Sequence, residues 1–509
     1  MFDIIVVGAG SAGAVIANRT SEDPNRTVLL LDAGPDYPEI SKTPFDLVNS
    51  HNNSYTEHDW HLKYAPTPGR NDPLPRGKVT GGSSAVNTTI ALRGMPEDYD
   101  EWADLGNTEW SWEKVLPAFN RLERDLDFGH EPYHGDAGPI TIRRYPESEL
   151  LIQHQAFLES AGELGYPYCA DANDPAGWGA GPHPMNKLGR LRVSTAVGYL
   201  APARIRPNLT IQPNSSVRRL IVKNGICHGV EVERADGNTE EIHARLIVLS
   251  AGAVMSPAIL MRSGLGPAEQ LRAHGIDVEQ DIPGIGENLS DHPCLAVVCQ
   301  VKDSSIIDFD QPLIQTILRY TAEGSEKRND LQIEQISFTG SEVGARSFMI
   351  ASVLEYQYGR GNIKLRSADP AEPPKIENQF CNDERDVTRL TQCFKDTINF
   401  VRQGALADLV RSVTFPNLGR RIDDDFIANL CKRRSVSGFH PCGTVKMGLA
   451  SDPLAVIDQH GRFHKLDNLV VADASIMPAV TRANTNLTSI MIGEMIGEWI
   501  RTRPATYGL

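Results

Sequence analysis

Near its start the chain reads Ile4-Ile5-Val6-Val7-Gly8-Ala9-Gly10-Ser11-Ala12-Gly13, and this stretch decides the fold. Four consecutive apolar residues predict a strand buried on both faces, as in a parallel sheet. The mainly small and apolar residues from 14 to 20 predict a helix. Val28–Leu31 predicts a second buried strand, which ends at Asp32. Together these segments predict a βαβ unit of the kind that binds dinucleotides.

The glycines of this unit, Gly8, Gly10 and Gly13, follow the spacing GxGxxG. We expect the first to make the tight turn, the second to let a pyrophosphate approach the backbone, and the third to let helix and strand pack closely. The helix N-terminus offers N–H groups and partial positive charge to the phosphates. Asp32 stands where a carboxylate accepts hydrogen bonds from a ribose. The motif by itself does not distinguish FAD from NAD.

Buried strands are predicted toward both ends of the chain, which indicates one nucleotide-binding domain built from separate segments. An amphipathic helix is expected from about residue 488 to 501. Between residues 306 and 438 the periodicity is mixed and glycine motifs are absent, which indicates a different domain. The further strands that we expect are Leu209–Gln212, Ser216–Val222, Cys227–Arg234, Arg245–Leu249 and Leu469–Asp473.

The composition is that of a globular protein of two or three domains, with 509 residues and a formal net charge of -15. An acidic chain argues against nucleic acid and anionic membranes as partners, because both need a basic face. No stretch near the start is long and apolar enough to span a membrane, and no secretory signal is visible. The eight cysteines form no CxxC pair and are expected to be reduced, so we expect a cytoplasmic location. The oligomeric state stays open.

Five groups of motifs occur in order along the rest of the chain. They are Arg76–Asn87; Gly252–Leu260 with Ser263–Gly266; Gly286–Pro293; His440–Thr444 with Lys446–Gly448; and Asp473–Pro478 followed by Asn484. In these motifs the chain resembles the glucose–methanol–choline (GMC) family of FAD-dependent oxidoreductases, of the bacterial alcohol oxidase or dehydrogenase type. The resemblance spans residues 4 to 500, essentially the whole chain.

The resemblance implies an α/β fold with a discontinuous Rossmann-type FAD-binding domain and an α+β substrate domain that contains an antiparallel sheet. The first domain is expected at residues 1–145, 195–305 and 440–509, and the second at 146–194 and 306–439. Val86 stands where choline oxidases carry a histidine that tethers the flavin, so we expect FAD to be bound without a covalent link there. The motif and the resemblance together give these cofactor-binding residues: Gly8, Gly10, Ser11, Ala12, Gly13, Asp32, Ala33, Gly77, Val79, Gly81, Gly82, Ser83, Asn87, Val217, Asp473, Ala474, Asn484 and Thr485.

Oxidation of an alcohol removes a proton from oxygen and a hydride from carbon, and FAD accepts the hydride. The proton needs a base that works near neutral pH, for which histidine is the usual side chain. The resemblance assigns this catalytic role to His440, and it places Asn484 where many members carry a second histidine. We expect Asn484 to orient the hydroxyl group. The expected reaction converts an alcohol to an aldehyde or ketone and passes the electrons to O2 or another acceptor.

The sequence leaves two other functions open. Some members of the family are hydroxynitrile lyases, which keep FAD without net redox chemistry, but these are secreted and usually pair two histidines. An NAD-linked dehydrogenase would use the first βαβ unit and leave the later motifs unexplained. Neither the alcohol nor the electron acceptor can be read from the sequence.

Several other residues have more than one interpretation. His292 is expected to be a turn residue that supports the FAD domain. The cluster of His51, His58 and His61 is expected to lie in a solvated loop, since no complete set of metal ligands accompanies it. Cys442 is expected to be a packing residue. Arg482 and Phe439 can each belong to the pocket, or to the surface and the core respectively.

Overall fold

The first sheet is built around the strand that the opening stretch predicts. The computed structural model describes residues 1–339, 346–417 and 422–509. In it Phe2–Val7 lies between Val28–Leu31 and Thr239–Leu249 and runs parallel to both. In spatial order the sheet contains Leu209–Gln212, Val28–Leu31, Phe2–Val7, Thr239–Leu249, Ile226–Arg234 and Ser215–Lys223, and Leu469–Val471 also pairs with Thr239–Leu249.

Thr239–Leu249 holds this sheet together because its two halves have different neighbours. Its first half pairs antiparallel with Ile226–Arg234, whereas its second half pairs parallel with Phe2–Val7 and Leu469–Val471. The strand is longer than the expected Arg245–Leu249 because its polar first half is exposed and carries no apolar pattern. Strands from both ends of the chain therefore share one sheet, as the sequence predicts.

Two helices bring distant parts of the chain to the first glycine loop. The first helix, Gly13–Thr20, packs against the last long helix, Thr485–Thr502. At their crossing a Cβ on Gly493 would lie 2.8 Å from the carbonyl oxygen of Ala12, so only glycine allows this approach. The start of the last helix is thereby placed beside the GxGxxG loop.

The second sheet is antiparallel throughout. In spatial order it contains Val410–Phe415, Pro293–Val301, Ser347–Leu354, Leu331–Ile336, Ile314–Tyr320 and Gly179–Pro182, and Val436–Ser437 pairs with Pro293–Val301. Along Pro293–Val301 the residues alternate between buried and half-buried. Leu295 and Val297 face a core that the helix Glu384–Arg402 covers, while Cys294 and Ala296 face a cavity.

The sheet order bears on one expected domain boundary. Residues 195–305 are expected in the first domain, and Pro293–Val301 of this segment is a central strand of the second sheet, paired on both edges. The division into domains remains a prediction, and residues 340–345 and 418–421 of the expected segment 306–439 lie outside the described residues.

The two sheets and their helices confirm the expected fold class, a Rossmann-type domain with an α+β domain that carries an antiparallel sheet. The remaining described α-helices are Phe45–Val48, Pro96–Asp104, Trp112–Leu122, Ile152–Glu163, Ala201–Ala203, Gly252–Arg262, Ala268–Ala273, Ala405–Leu409 and Asp424–Arg434. Short strand pairs are Leu62–Tyr64 with Asp72–Leu74, Glu123–Asp125 with Ile140–Ile142, Lys187–Leu188 with Leu191–Arg192, Leu265–Gly266 with Gln280–Asp281, and Asn362–Lys364 with Lys375–Glu377. Within the described ranges no helix has the length and apolar character needed to cross a bilayer.

Candidate active site

The first glycine loop is held by the carboxylate that follows the second strand. Asp32 accepts hydrogen bonds from the backbone N–H of Ala9 and of Gly34, both at 2.8 Å. Burial raises the pKa of Asp32 to about 6, and these backbone donors stabilise its ionised form. Asp32 therefore fixes the loop as well as lining the cavity beside it.

Gly13 and Gly10 of the first glycine loop are glycine for different structural reasons. A Cβ on Gly13 would lie 1.9 Å from the carbonyl oxygen of Gly8, so this glycine is required by helix–strand packing. A Cβ on Gly10 would meet no described atom nearer than the Cα of Gly82, at 3.8 Å. Gly10 lines the cavity, so the free space above it is available to a ligand.

The cavity has a volume of about 650 Å³ and extends from the first glycine loop to the second sheet. Two uncapped helix N-termini open into it, those of Gly13–Thr20 and Thr485–Thr502. Such termini bind phosphate well, because their N–H groups lack partners within the helix. Inside the cavity wall the side-chain nitrogen of Asn486 has no described hydrogen-bond partner. Glycine backbone, helix termini and volume together fit a dinucleotide.

Most of the cofactor-binding residues expected from the sequence line this cavity. They are Gly8, Gly10, Ser11, Ala12, Asp32, Ala33, Gly77, Gly82, Ser83, Asn87, Val217, Asp473, Ala474, Asn484 and Thr485. Ser83 also accepts a hydrogen bond at its hydroxyl oxygen from the N–H of Gly77. The side chain of Asp473 is occupied by the N–H of Gly252 and the hydroxyl of Ser256.

Three expected residues do not line the cavity. Gly13 is covered by the strand that it packs against. Gly81 has a φ of 98° and donates its N–H to the carbonyl of Ala9, which joins the first glycine loop to the second one, residues 77–87. Val79 is buried in a small apolar cluster with Leu47. Gly13 and Gly81 support the loops through their backbone and Val79 packs in the apolar cluster, because the way the loops pack is not encoded in the motif.

His440 stands in the cavity wall, in a tight turn. The preceding residue, Phe439, has a φ of 67°, a backbone conformation that is uncommon for a side chain of its size. The N–H of His440 donates to Asp291 Oδ1 at 2.9 Å, and that carboxylate also accepts from the hydroxyl of Ser437. The turn therefore fixes the backbone on both sides of the imidazole.

Both ring nitrogens of His440 have a side-chain partner. Nε2 lies 2.9 Å from Asn484 Nδ2, and Nδ1 lies 3.0 Å from His292 Nδ1. Burial, followed by His292 and Arg76, lowers the pKa of His440 well below its ordinary value of 6.5. His440 is thus a neutral imidazole at pH 7 and is able to accept a proton from a group in the cavity.

His292 is a neighbour of His440 that the sequence did not reveal. It was expected to support the FAD domain from a turn, but it is fully buried and contacts the imidazole of His440. Its Nε2 lies 3.0 Å from the carbonyl oxygen of Thr481. The motif Gly286–Pro293 contains this histidine, yet only the fold shows that its partner lies 148 residues further along.

Phe439, Arg482 and Cys442 lie in three different environments. Phe439 lines the cavity, where its ring packs edge-on against Tyr55 at 5.7 Å. Arg482 is buried outside the cavity lining and forms an ion pair with Asp98 at 2.6 Å. Cys442 is fully buried and burial raises its pKa, so it is an inert thiol that packs.

The histidine cluster at residues 51 to 61 differs from the expectation in one respect. His61 is exposed, but His58 is buried, lies 3.0 Å from the hydroxyl of Tyr37 and faces Asp46. None of the three belongs to a possible metal-binding group among the described residues.

The described residues hold one cluster with the spacing of metal ligands, Glu123, Asp125 and His134. Arg93 and Arg144 form ion pairs with these carboxylates, so their charges are already compensated without a metal. The cluster is therefore a buried ion-pair network.

Comparison with known proteins agrees with this geometry. The GMC oxidoreductase family matches residues 2–294 and 357–493. The chain is 34% identical to 5-(hydroxymethyl)furfural oxidase of Methylovorus sp. strain MP688, over 99% of each chain. It is also 34% identical to an oxygen-dependent choline dehydrogenase of Cronobacter sakazakii, over 99% of this chain and 95% of the other. The fold superimposes on pyridoxine 4-oxidase from Mesorbium loti with a TM-score of 0.89, 29% identity and 98% of each chain covered.

The chain belongs to the GMC oxidoreductase family. It is an FAD-dependent oxidoreductase that acts on the CH–OH group of alcohols. The expected cofactor and reaction class are confirmed, and the comparisons give no support to the lyase alternative.

Proposed function

We propose that this enzyme oxidises an alcohol to the aldehyde or ketone, with His440 as the base and Asn484 as the residue that orients the hydroxyl group. The observation that carries this proposal is the neutral imidazole of His440 in the cavity wall, with its Nε2 2.9 Å from Asn484 Nδ2. Asn484 Oδ1 is buried and has no described hydrogen-bond partner.

Bound FAD supplies the hydride acceptor. In the proposed reaction the O–H proton passes to His440 Nε2, the carbon–hydrogen bond breaks with its electron pair leaving as hydride, and a C=O bond forms. The amide of Asn484 cannot serve as a base near neutral pH, so its role is to hold the hydroxyl in line. Gly10 and Gly82, together with the start of the helix Thr485–Thr502, would hold the pyrophosphate.

The substrate side of the cavity favours an alcohol that carries an aromatic ring. It is lined by Phe439, Tyr55 and Phe338, by aliphatic side chains of the second sheet, and by Gln332, Glu334 and Glu355. The aromatic and aliphatic part of this wall suits a ring with a hydroxymethyl group. Two of the relatives are named as oxidases of 5-(hydroxymethyl)furfural and pyridoxine, which supports this class and O2 as the electron acceptor.

The proposal includes a cytoplasmic location for the enzyme. All eight cysteines are free thiols. Free thiols are stable in a reducing compartment, and this supports a cytoplasmic enzyme.

The experiment that tests the proposal is anaerobic mixing of the FAD-loaded enzyme with a panel of alcohols, followed by absorbance of the flavin. We expect bleaching by aryl or heteroaryl carbinols and recovery of colour when air is admitted. With the best substrate, His440→Ala should retain FAD and slow bleaching by roughly 10²- to 10⁴-fold. His228→Ala, at an exposed site, is the control. Bleaching at the wild-type rate by His440→Ala would remove this residue from the mechanism.

A further inference from the structure

The hydrogen bonds around His440 form a chain with only one possible direction. The chain runs from Asn484 Nδ2 to His440 Nε2, from His440 Nδ1 to His292 Nδ1, and from His292 Nε2 to the carbonyl oxygen of Thr481, with separations of 2.9, 3.0 and 3.0 Å. A backbone carbonyl can only accept. The direction of the whole chain is therefore set at its far end, by Thr481.

The proton positions follow step by step. Because Thr481 accepts, Nε2 of His292 must carry the hydrogen. His292 is fully buried and burial lowers its pKa, so its imidazole is neutral and Nδ1 keeps a lone pair. Two lone pairs cannot face each other at 3.0 Å, so Nδ1 of His440 is the donor in that contact. Nε2 of His440 then has a lone pair, which accepts from Asn484 Nδ2.

We infer that His292 is a positioning residue for the reaction: anchored by Thr481, it holds His440 in the Nδ1–H tautomer, whose unprotonated Nε2 faces Asn484 and the cavity. This inference rests on the proposed role of His440 as base. The alternative tautomer would place a hydrogen on Nε2 and leave nothing there to accept the proton of the alcohol.

Charged groups surround the pair without disturbing this order. Glu355 competes for His292 with two groups: its Oε2 lies 3.5 Å from Nδ1, further than His440, and its backbone carbonyl also acts on the ring. Asp291 accepts from backbone N–H groups of the pair, and Arg76 and Asp98 act on the pair at longer range.

The test compares two substitutions of His292. In His292→Leu no acceptor remains for His440 Nδ1, whereas in His292→Asn the amide oxygen can take the place of Nδ1. His154→Leu is the control, since His154 is equally buried but bonds to Thr316 and Ser337 and does not contact His440.

The first readout does not depend on turnover. Long-range ¹H–¹⁵N correlation spectra of the FAD-loaded enzyme, labelled with ¹⁵N-histidine, report which ring nitrogen of each histidine carries hydrogen. The signals of His440 are assigned by their loss in His440→Asn. At pH 7.5 we expect the Nδ1–H form in the wild type, in His292→Asn and in the control, and loss of this preference in His292→Leu.

The second readout is steady-state kinetics. We expect kcat to fall at least about tenfold in His292→Leu with KM nearly unchanged, and to recover in His292→Asn. An Nε2–H tautomer in the wild type, or an unchanged Nδ1–H tautomer in His292→Leu, would overturn the inference. Full turnover by His440→Ala with the expected tautomers would instead overturn the proposed function alone.

Discussion

At the scale of single residues, the reactivity of His440 depends on burial more than on any charge nearby. Removal from water disfavours the imidazolium, and His292 and Arg76 add to the effect. Asp291 bonds to the backbone N–H of His440 and not to its ring, so it positions the base without raising its basicity. A base of this kind is unprotonated at pH 7 before a substrate arrives.

This gives a prediction for the pH dependence of the reaction. Because His440 must be unprotonated and its pKa lies well below 6.5, kcat/KM should stay constant as pH falls from 8 to 6.5 and decline only at lower pH. The measurement is kcat/KM for one non-ionising alcohol between pH 5 and 9. FAD content is determined at each pH, since Asp32, with a pKa of about 6, supports the cofactor loop. A half-maximal value above pH 7 with FAD fully bound would contradict the prediction.

On the basic side a second group can contribute. Glu355 lines the cavity, and burial raises the pKa of its carboxyl to about 8. At pH 7 it is mainly protonated and carries no charge near His292. Comparing Glu355→Gln with the wild type above pH 8 shows whether any decline there comes from this carboxylate.

At the scale of elements, the glycine loops show how one residue type serves two purposes. Gly13 is glycine because the backbone of Gly8 lies against it, and Gly10 is glycine although the protein leaves space around it. The close approach of Gly82 to Gly10 joins the loops from two distant segments. A ligand between the loops would meet backbone and no side chain at this point.

These different reasons predict different outcomes for two alanine variants. Gly10→Ala should fold with wild-type stability as the apoprotein, because its Cβ meets only Gly82 Cα at 3.8 Å, but it should bind FAD more weakly. Gly13→Ala should fail to fold or be strongly destabilised, since its Cβ would lie 1.9 Å from an oxygen. Thermal unfolding of apoprotein and fluorimetric titration with FAD measure the two effects. Tight FAD binding by Gly10→Ala would show that the pyrophosphate does not pass there.

At the scale of the whole molecule, the buried network of ion pairs and hydrogen bonds around His134 links five separate positions along the chain. Nδ1 of His134 lies 2.7 Å from Glu123 and Nε2 lies 2.9 Å from Asp171, while Arg93 and Arg144 complete the network. Burial favours neutral His134, but the hydrogen bonds that it donates to Asp171 and Glu123 outweigh burial and raise its pKa. Burial likewise opposes ionised Asp171, yet His134 and Arg144 lower its pKa to about 2.

The sign of these shifts predicts how stability depends on pH. A raised pKa of His134 means that its contribution is fully present below pH 6.5 and is lost as pH rises through the folded-state value. His134→Gln should therefore lower the free energy of unfolding by about 3 kcal/mol at pH 6, and by less at pH 9. Urea unfolding at both pH values measures this, with His228→Gln at an exposed site as the control. An equal loss at both values would mean that His134 is not charged in the folded protein.

The sequence by itself determined the nucleotide-binding half of the protein. Val28–Leu31 and Leu209–Gln212 have the expected bounds, and the other expected strands differ by one or two residues at one end or both, except Arg245–Leu249, whose strand begins at Thr239. The reason is that a strand buried on both faces needs a continuous apolar run, and a tight turn needs glycine. Both features can therefore be recognised from a few neighbouring residues in the sequence. The resemblance added His440, Asn484 and FAD, because family motifs preserve a site whose parts are far apart in the chain.

Only the tertiary structure decided the surroundings of the base. The contacts of His440 with His292 and Asn484 cross 148 and 44 residues, and a hydrogen bond between side chains leaves no local pattern. Pro293–Val301 is a second example. Its residues alternate as in an antiparallel strand, but the sheet that it joins depends on the strands that pack beside it. Local sequence determines which secondary structure a segment can form. Which strand or side chain it contacts, and in which direction its hydrogen bonds run, depends on how the whole chain packs.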